Sequence, residues 1–225
     1  MLQSIERKDA TTAAHTWRVV LYTRTMAERA GLKPEFIERL THAAALHDIG
    51  KLEIPDEILQ KPGKLTDVEY AVIQTHSAAG HAWLKALGET DELVLQLVRH
   101  HHERMDGTGY PDHLQGDEIP EPARYFAVID SFDALTSVRP YRTDVGAAAA
   151  ERAIVELNSK RETWYCDESV DLLTDLYRSG AIDWILDYCN DRCELPPHRP
   201  ASPGVFPAAV LGRGGTSNGL RTGRR

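Results

Sequence analysis

Thiols are scarce in this chain. Of its 225 residues three are cysteine, at Cys166, Cys189 and Cys193, with neither the even count of a disulfide framework nor the paired spacing of a zinc-thiolate site. They read as reduced structural thiols of a cytoplasmic protein. Long apolar runs are missing too, and nothing approaches the roughly 18 to 20 residues of a membrane span. From Met1 to Thr12 the chain mixes Glu6, Arg7, Lys8 and Asp9 and has no apolar stretch of the kind a secretory signal needs. There is no surplus of positive charge. The formal net charge is −8, which argues against a broad nucleic-acid footprint and leaves an anionic ligand to be met by local cations or metals. Nor is there an internal repeat, a sustained period-two alternation or a dinucleotide-type glycine fingerprint. The expected fold class is all-α, a helical bundle.

Acidic residues vanish near the C-terminus. From Leu195 to Arg225 there is no Asp or Glu, while Arg199, Arg213, Arg221, Arg224 and Arg225 sit among Pro, Gly and Ser. This composition predicts a disordered basic tail, solvated or in weak contact with acidic surfaces. The chain as a whole has an ordinary 42% hydrophobic content and can build a core. The expected organisation is a lead-in over 1–12, a helical domain over 13–194 and the tail over 195–225.

Apolar periodicity predicts a helix from Ala13 to Ala30 stopped by Gly31, and a second opened by Pro34 that carries Phe36, Ile37, Leu40, Ala44 and His47 near one stripe. A short helix is expected around Glu57 to Leu59. Thr66 with Glu69 predicts a capping box for a helix that bears His76, interrupted at Gly80 and resumed from His81 to Leu87. Asp91 to Glu103 forms the next, with Leu93, Val94, Leu97 and Val98 buried and His101 and His102 at its end. Met105 to Ile119 reads as a loop, and Pro122 to Thr136 as a helix bearing Ile129 and Asp130. Further helices are expected over 145–158, 167–179 and 182–190.

Two stretches concentrate the chemistry: His47-Asp48-Ile49-Gly50-Lys51, and His101 through Pro111 with its His-His pair and Gly-rich turn. Imidazoles and carboxylates crowded in this way suit a hydrolytic metal site. Asp48 follows the apolar run Ala43-Ala44-Ala45-Leu46, where an unpaired carboxylate would be costly to bury. His15, His76 and Asp130 lie on separate predicted helices and can complete a cage. A single helical His or Asp is more often packed or solvated than a ligand, so the case rests on the set.

From His15 to Arg142 the sequence resembles the HD-GYP branch of the HD phosphohydrolase superfamily. The resemblance is carried by His15-Thr16-Trp17-Arg18, His47-Asp48-Ile49-Gly50-Lys51, Lys61-Pro62-Gly63, His76 to Gly80, His101 to Pro111, Asp130 to Thr136 and Arg139-Pro140-Tyr141-Arg142. It implies an all-helical core with a binuclear or trinuclear iron or manganese centre, and hydrolysis of cyclic di-GMP to pGpG or onward to GMP. Its implied metal ligands are His15, His47, Asp48, His76, His101, His102 and Asp130, with Asp48 bridging. Lys51 is expected at a phosphate oxygen or beside the nucleophile. Gly109, Tyr110 and Pro111, with Arg139 and Arg142, are expected at the substrate. Asp133, one turn after Asp130, is expected there too or supporting a ligand. His42, His81, His100, His113 and His198 fall outside the ligand positions.

Two departures stand out. Some family members carry a Glu at the position of Thr11 for a third metal; threonine is a poor ligand, so two metal ions are expected, iron or manganese. Where the family often has a Gly and a Phe-Asp-Pro cluster, this chain has Trp164-Tyr165-Cys166-Asp167, with Asp167 expected to cap a helix. Only a short lead precedes His15, so regulation is expected from a separate sensory protein or from homodimerisation. No membrane or specific nucleic-acid partner is expected. The competing readings are a phosphohydrolase for another nucleotide, including a hybrid cyclic dinucleotide, and a cyclic di-GMP sensor without turnover.

Overall fold

The computed structural model describes residues 10–137 and 147–188. Among them are nine α-helices and no strand. They are α1 (Ala10–Arg29), α2 (Pro34–Leu46), α3 (Asp56–Leu59), α4 (Asp67–Ala86), α5 (Glu92–His100), α6 (Glu121–Thr136), α7 (Ala147–Ser159), α8 (Asp167–Arg178) and α9 (Asp183–Tyr188). A 3-10 turn over Ile49–Glu53 follows α2. No helix among the described residues is long and apolar enough to cross a membrane. The segment 195–225, Arg139 and Arg142, and Cys189 and Cys193 lie outside the described residues, as does the side chain of Thr11.

Local signals explain most boundaries. Gly31 takes φ +73 just past α1, a left-handed stop that a side chain would resist. Pro34 occupies the first turn of α2. At α4 the Thr66 hydroxyl accepts from Glu69 N at 3.3 Å while Thr66 N donates to the Glu69 carboxylate at 2.7 Å. Asp91 caps α5 by accepting from Leu93 N at 2.9 Å. The cap of α8 falls on Cys166 rather than Asp167, which sits in the first turn and favours the helix N-terminus by its charge alone.

The helices enclose one apolar core. Leu93, Val94, Leu97 and Val98 of α5 are buried, as are Val19, Tyr22, Leu40, Phe126 and Phe132. Tyr22 meets Phe132 edge to face at 5.5 Å between centroids, joining α1 to α6. Helix α5 packs against α2, α4 and α6, which places its C-terminal histidines amid the other elements.

Gly80 does not interrupt α4; the helix runs through it. Its role is close approach. A Cβ built on Gly50 would lie 1.9 Å from His76 O and 2.5 Å from Gly80 N, and one on Gly80 would lie 3.1 Å from Gly50 N. The 3-10 turn therefore lies directly on the helix bearing His76, which the missing side chain of Gly50 allows and that of Gly80 eases. Gly50→Ala is expected to destabilise the fold by about 2 kcal/mol through overpacking, read as a lower urea midpoint at unchanged m-value. An unchanged midpoint would mean that the two backbones are not in contact.

Candidate metal centre

Helix α2 ends at Leu46, so His47 and Asp48 lie in the passage from that helix to the 3-10 turn. Asp48 adopts φ −95, ψ 8 and leads the 3-10 turn. This swings its carboxylate toward the ring of His47: His47 Nε2 lies 3.2 Å from Asp48 Oδ2. The other oxygen, Oδ1, lies 3.4 Å from His76 Nε2 on α4. Two trios of donor atoms result, His15 with His47 and Asp48, and His76 with His101 and His102, with the atoms of each trio within 4.8 Å of one another. One carboxylate thus faces both. Asp130 of α6 adds Oδ1 at 3.4 Å from His15 Nε2 and 3.9 Å from His47 Nε2.

The ring tautomers follow from hydrogen bonds. Nδ1 of His47, His76 and His101 lies 2.8, 2.7 and 2.9 Å from the carbonyls of Ala44, Ile73 and Val98. A carbonyl can only accept, so each Nδ1 carries the proton and each Nε2 turns its lone pair toward the centre. His15 Nδ1 donates to Asp133 Oδ2 at 2.7 Å, with the same outcome. The lone pairs then converge: His15 and His47 Nε2 are 3.2 Å apart, and His76 and His101 Nε2 are 3.3 Å apart. Acceptors facing acceptors at this range call for a cation between them. The donor set therefore fits divalent metal, held by imidazole and carboxylate with no thiolate. Cys166 is buried in the core and does not line the cavity.

The electrostatics differ between the trios. Burial pushes His102 down to about 3 and drives His76 and His101 below the usual imidazole range. At His47 burial also works downward, but the carboxylates of Asp48 and Asp130 outweigh it and raise the pKa. Burial would raise Asp48, yet His47 and Lys51 hold it well below the usual carboxylate range. Metal competes with the proton on Nε2. On acidification His47 therefore protonates before His76, His101 and His102, and the His15–His47–Asp48 trio loses affinity first. Manganese titration calorimetry at about pH 8 and about pH 6 should find one set of sites weakened selectively at the lower pH. Uniform weakening would contradict the assignment.

A cavity of about 360 Å³ opens over the cluster. Lys51 is on its wall, with Nζ 2.6 Å from Asp48 Oδ2. Tyr110 is there too, its ring 4.8 Å from that of His102. Gly109 and Pro111, expected at the substrate, do not line the cavity. Gly109 is buried, and a Cβ there would meet Glu103 Cα at 2.4 Å, so its glycine serves loop packing. Asp133 is fully buried with both oxygens engaged, by His15, by Arg18 at 2.6 and 3.1 Å and by Ser137 Oγ at 3.0 Å. Of its two expected roles, these contacts are those of a support for His15. Helix α5 stops at His100 because the chain turns there to bury Glu103, whose carboxylate accepts from Asp112 N and Leu114 N at 2.7 and 3.2 Å.

His100 points elsewhere, with Nε2 2.9 Å from Asp112 Oδ2. His42 and His81 also lie off the cluster. The service of Arg18 to Asp133 was not foreseen; its place one turn after His15, within the His15–Arg18 motif, is the one signal that could have found it. Tyr70, Arg104, Trp164 and Tyr165 also line the cavity without having been singled out as site residues.

The chain has clear relatives. The sequence profile described as HD domain matches residues 2–170. The cyclic di-GMP phosphodiesterase response regulator RpfG of Xanthomonas campestris is 40% identical over 174 residues, covering 77% of this chain and 45% of that protein. The 3'3'-cGAMP-specific phosphodiesterase 2 of Vibrio cholerae is 39% identical over 146 residues, covering 63% and 27%. The chain thus spans less than half the length of these curated relatives. In fold it matches the crystal structure of the L. monocytogenes phosphodiesterase PgpH HD domain in complex with cyclic-di-AMP, at TM-score 0.59 and 16% identity over 80% of this chain and 95% of that one. The chain belongs to the HD domain family and carries the motif set of its HD-GYP branch.

Proposed function

We propose that this chain is a metal-dependent phosphodiesterase that hydrolyses cyclic di-GMP to pGpG, GMP or both in bacterial second-messenger signalling. The observation that carries the reading is the Asp48 carboxylate, whose two oxygens face two separate donor trios. His15, His47 and Asp48 would hold one divalent ion and His76, His101 and His102 the other, with Asp48 shared and Asp130 as a further ligand. Such ions supply an acidified water as nucleophile and take up charge on phosphoryl oxygens. The chain's own groups do the rest. The carbonyls behind the rings fix donor direction, and Asp133 holds His15 from outside the cage. Lys51 lies at the cavity wall beside Asp48, where an ammonium can meet a phosphate oxygen. Tyr110 offers a flat wall to a base. Arg139 and Arg142 remain proposed phosphate contacts.

Imidazole and carboxylate donors without thiolate favour iron or manganese, and two trios favour two ions. The cytoplasm, where a nucleotide messenger is met, is the compartment this reading implies. A separate sensory protein or self-association would carry regulation. Incubating manganese- or iron-loaded protein with cyclic di-GMP should yield pGpG or GMP. Three ions per chain after anaerobic purification would overturn the metal count, and tight binding without product would favour a sensor. A second reading, cleavage of a hybrid cyclic dinucleotide, is favoured by the 39% identity to the cGAMP-specific relative. Side-by-side turnover of the two dinucleotides separates them.

A further inference from the structure

A cyclic dinucleotide carries two phosphodiesters in one ring, so a site that cleaves one must accommodate a second anion. Three lysine or arginine side chains of the described residues line the cavity: Arg18, Lys51 and Arg104. Arg18 is committed to Asp133 at 2.6 Å, and Lys51 Nζ is 2.6 Å from Asp48. Arg104 has no ion-paired carboxylate among the described residues; its side chain makes a long hydrogen bond of 3.4 Å to Thr108 Oγ1. It lies instead on an indole, with its guanidinium carbon 3.6 Å from the Trp164 ring centroid. Lys160 Nζ is also 3.7 Å from that centroid, but it pairs with Glu156 at 2.8 Å and does not line the cavity.

The backbone that carries the indole is fixed. Trp164 N donates to Lys160 O at 2.9 Å, Met105 N to Trp164 O at 3.4 Å and Asp106 N to Thr163 O at 2.8 Å. The segment ahead of α8 is thus hydrogen-bonded to the strip that bears Arg104. A guanidinium lying on an aromatic face keeps its N–H edge available in its own plane, the geometry that takes two phosphate oxygens at once. Trp164 falls where this chain departs from the family's frequent Gly and Phe-Asp-Pro cluster.

We propose that Arg104, shelved on Trp164, binds the phosphate of the cyclic dinucleotide that is not being cleaved. Arg104 is the binding residue and Trp164 the positioning residue. The assignment rests on the phosphodiesterase reading above. The test is steady-state kinetics of the manganese-loaded full chain on cyclic di-GMP and on bis(p-nitrophenyl) phosphate, which has a single phosphate. Arg104→Gln should raise KM for cyclic di-GMP about 10- to 30-fold with kcat within about 3-fold. Its loss in kcat/KM should be at least about five times larger for the dinucleotide than for the small diester. Arg104→Lys, which keeps charge but not the fork, should fall between. Trp164→Ala should raise KM about 3- to 10-fold and Trp164→Phe should recover most of it.

Equal losses on both substrates, an unchanged KM in Arg104→Gln, or Trp164→Phe no better than Trp164→Ala would overturn the assignment while leaving the phosphodiesterase reading intact. A wild-type chain that cleaves the small diester but not cyclic di-GMP would overturn that reading and this assignment with it.

Discussion

Asp48→Asn should lower cyclic di-GMP turnover by on the order of 10³-fold or more, with fewer than two metals retained per chain. The substitution preserves shape but removes the charge that faces both trios. An amide oxygen is a poorer ligand than a carboxylate, and its NH2 group, directed at His47 or His76, would meet a donor-seeking lone pair in only one of the two directions. It also removes the counter-charge of Lys51 and His47, which keep Asp48 ionised. Because the residue is buried at the junction of α2, the 3-10 turn and α4, the loss should show as kcat together with metal stoichiometry, with helical content retained. Metal analysis with circular dichroism and turnover on the same preparation checks all three. A variant with two tightly held metals and wild-type kcat would remove the shared carboxylate from the mechanism.

Asp133→Ala should destabilise the fold by about 3 to 5 kcal/mol. The reason is what it leaves behind. Arg18 is 5% exposed, and without Asp133 its guanidinium would be a buried charge with its bidentate partner gone. Asp133 itself is held at about 2: burial would raise it, but His15 and Arg18 outweigh that. A carboxyl depressed from about 3.9 in the unfolded chain contributes stability above that value and loses it as pH falls toward 2, on the order of 2 to 3 kcal/mol in all. The deficit of the variant should therefore be largest near neutrality and shrink below about pH 4. Pairing Arg18→Met with Asp133→Leu should return much of the stability, since a buried ion pair is replaceable by apolar volume. It should not return turnover, because His15 would still lack its orienting acceptor. Urea unfolding across pH, set beside turnover of the single and double variants, tests this. Recovery of both stability and activity in the double variant would show that Asp133 is structural only.

The element pattern was legible because its signals are local. Pro34, the Thr66–Glu69 box and the stripe on α5 each act within a few residues and needed no tertiary context. Gly80 misled because a glycine in a helix reads as weakness when its neighbours in space are unknown; Gly50 is thirty residues earlier, and only their contact explains the pair. The candidate ligand set was drawn from its order along the chain, and the structure brings those donors together. The geometry around it was not: that Asp133 serves His15, or that His100 turns to Asp112, depends on approach between helices far apart in sequence. Gly109 illustrates the same limit, since a glycine beside a site looks like room for a ligand and here is room for Glu103.

The carbonyls behind His47, His76 and His101 bear on kinetics as well as geometry. Each belongs to a residue three positions before its histidine, so each ring is latched to its own helical turn. Rotating such a ring by half a turn would put a carbon-bound hydrogen against the carbonyl and forfeit the bond. The latch is intrinsic to each helix and independent of any occupant. Once the helices have packed, an ion can leave and another enter with these donors standing where they stood. Exchange of one metal for another should therefore proceed at the pace of ligand substitution, without a refolding step, and the occupant found in a preparation will report the ions on offer when it was made.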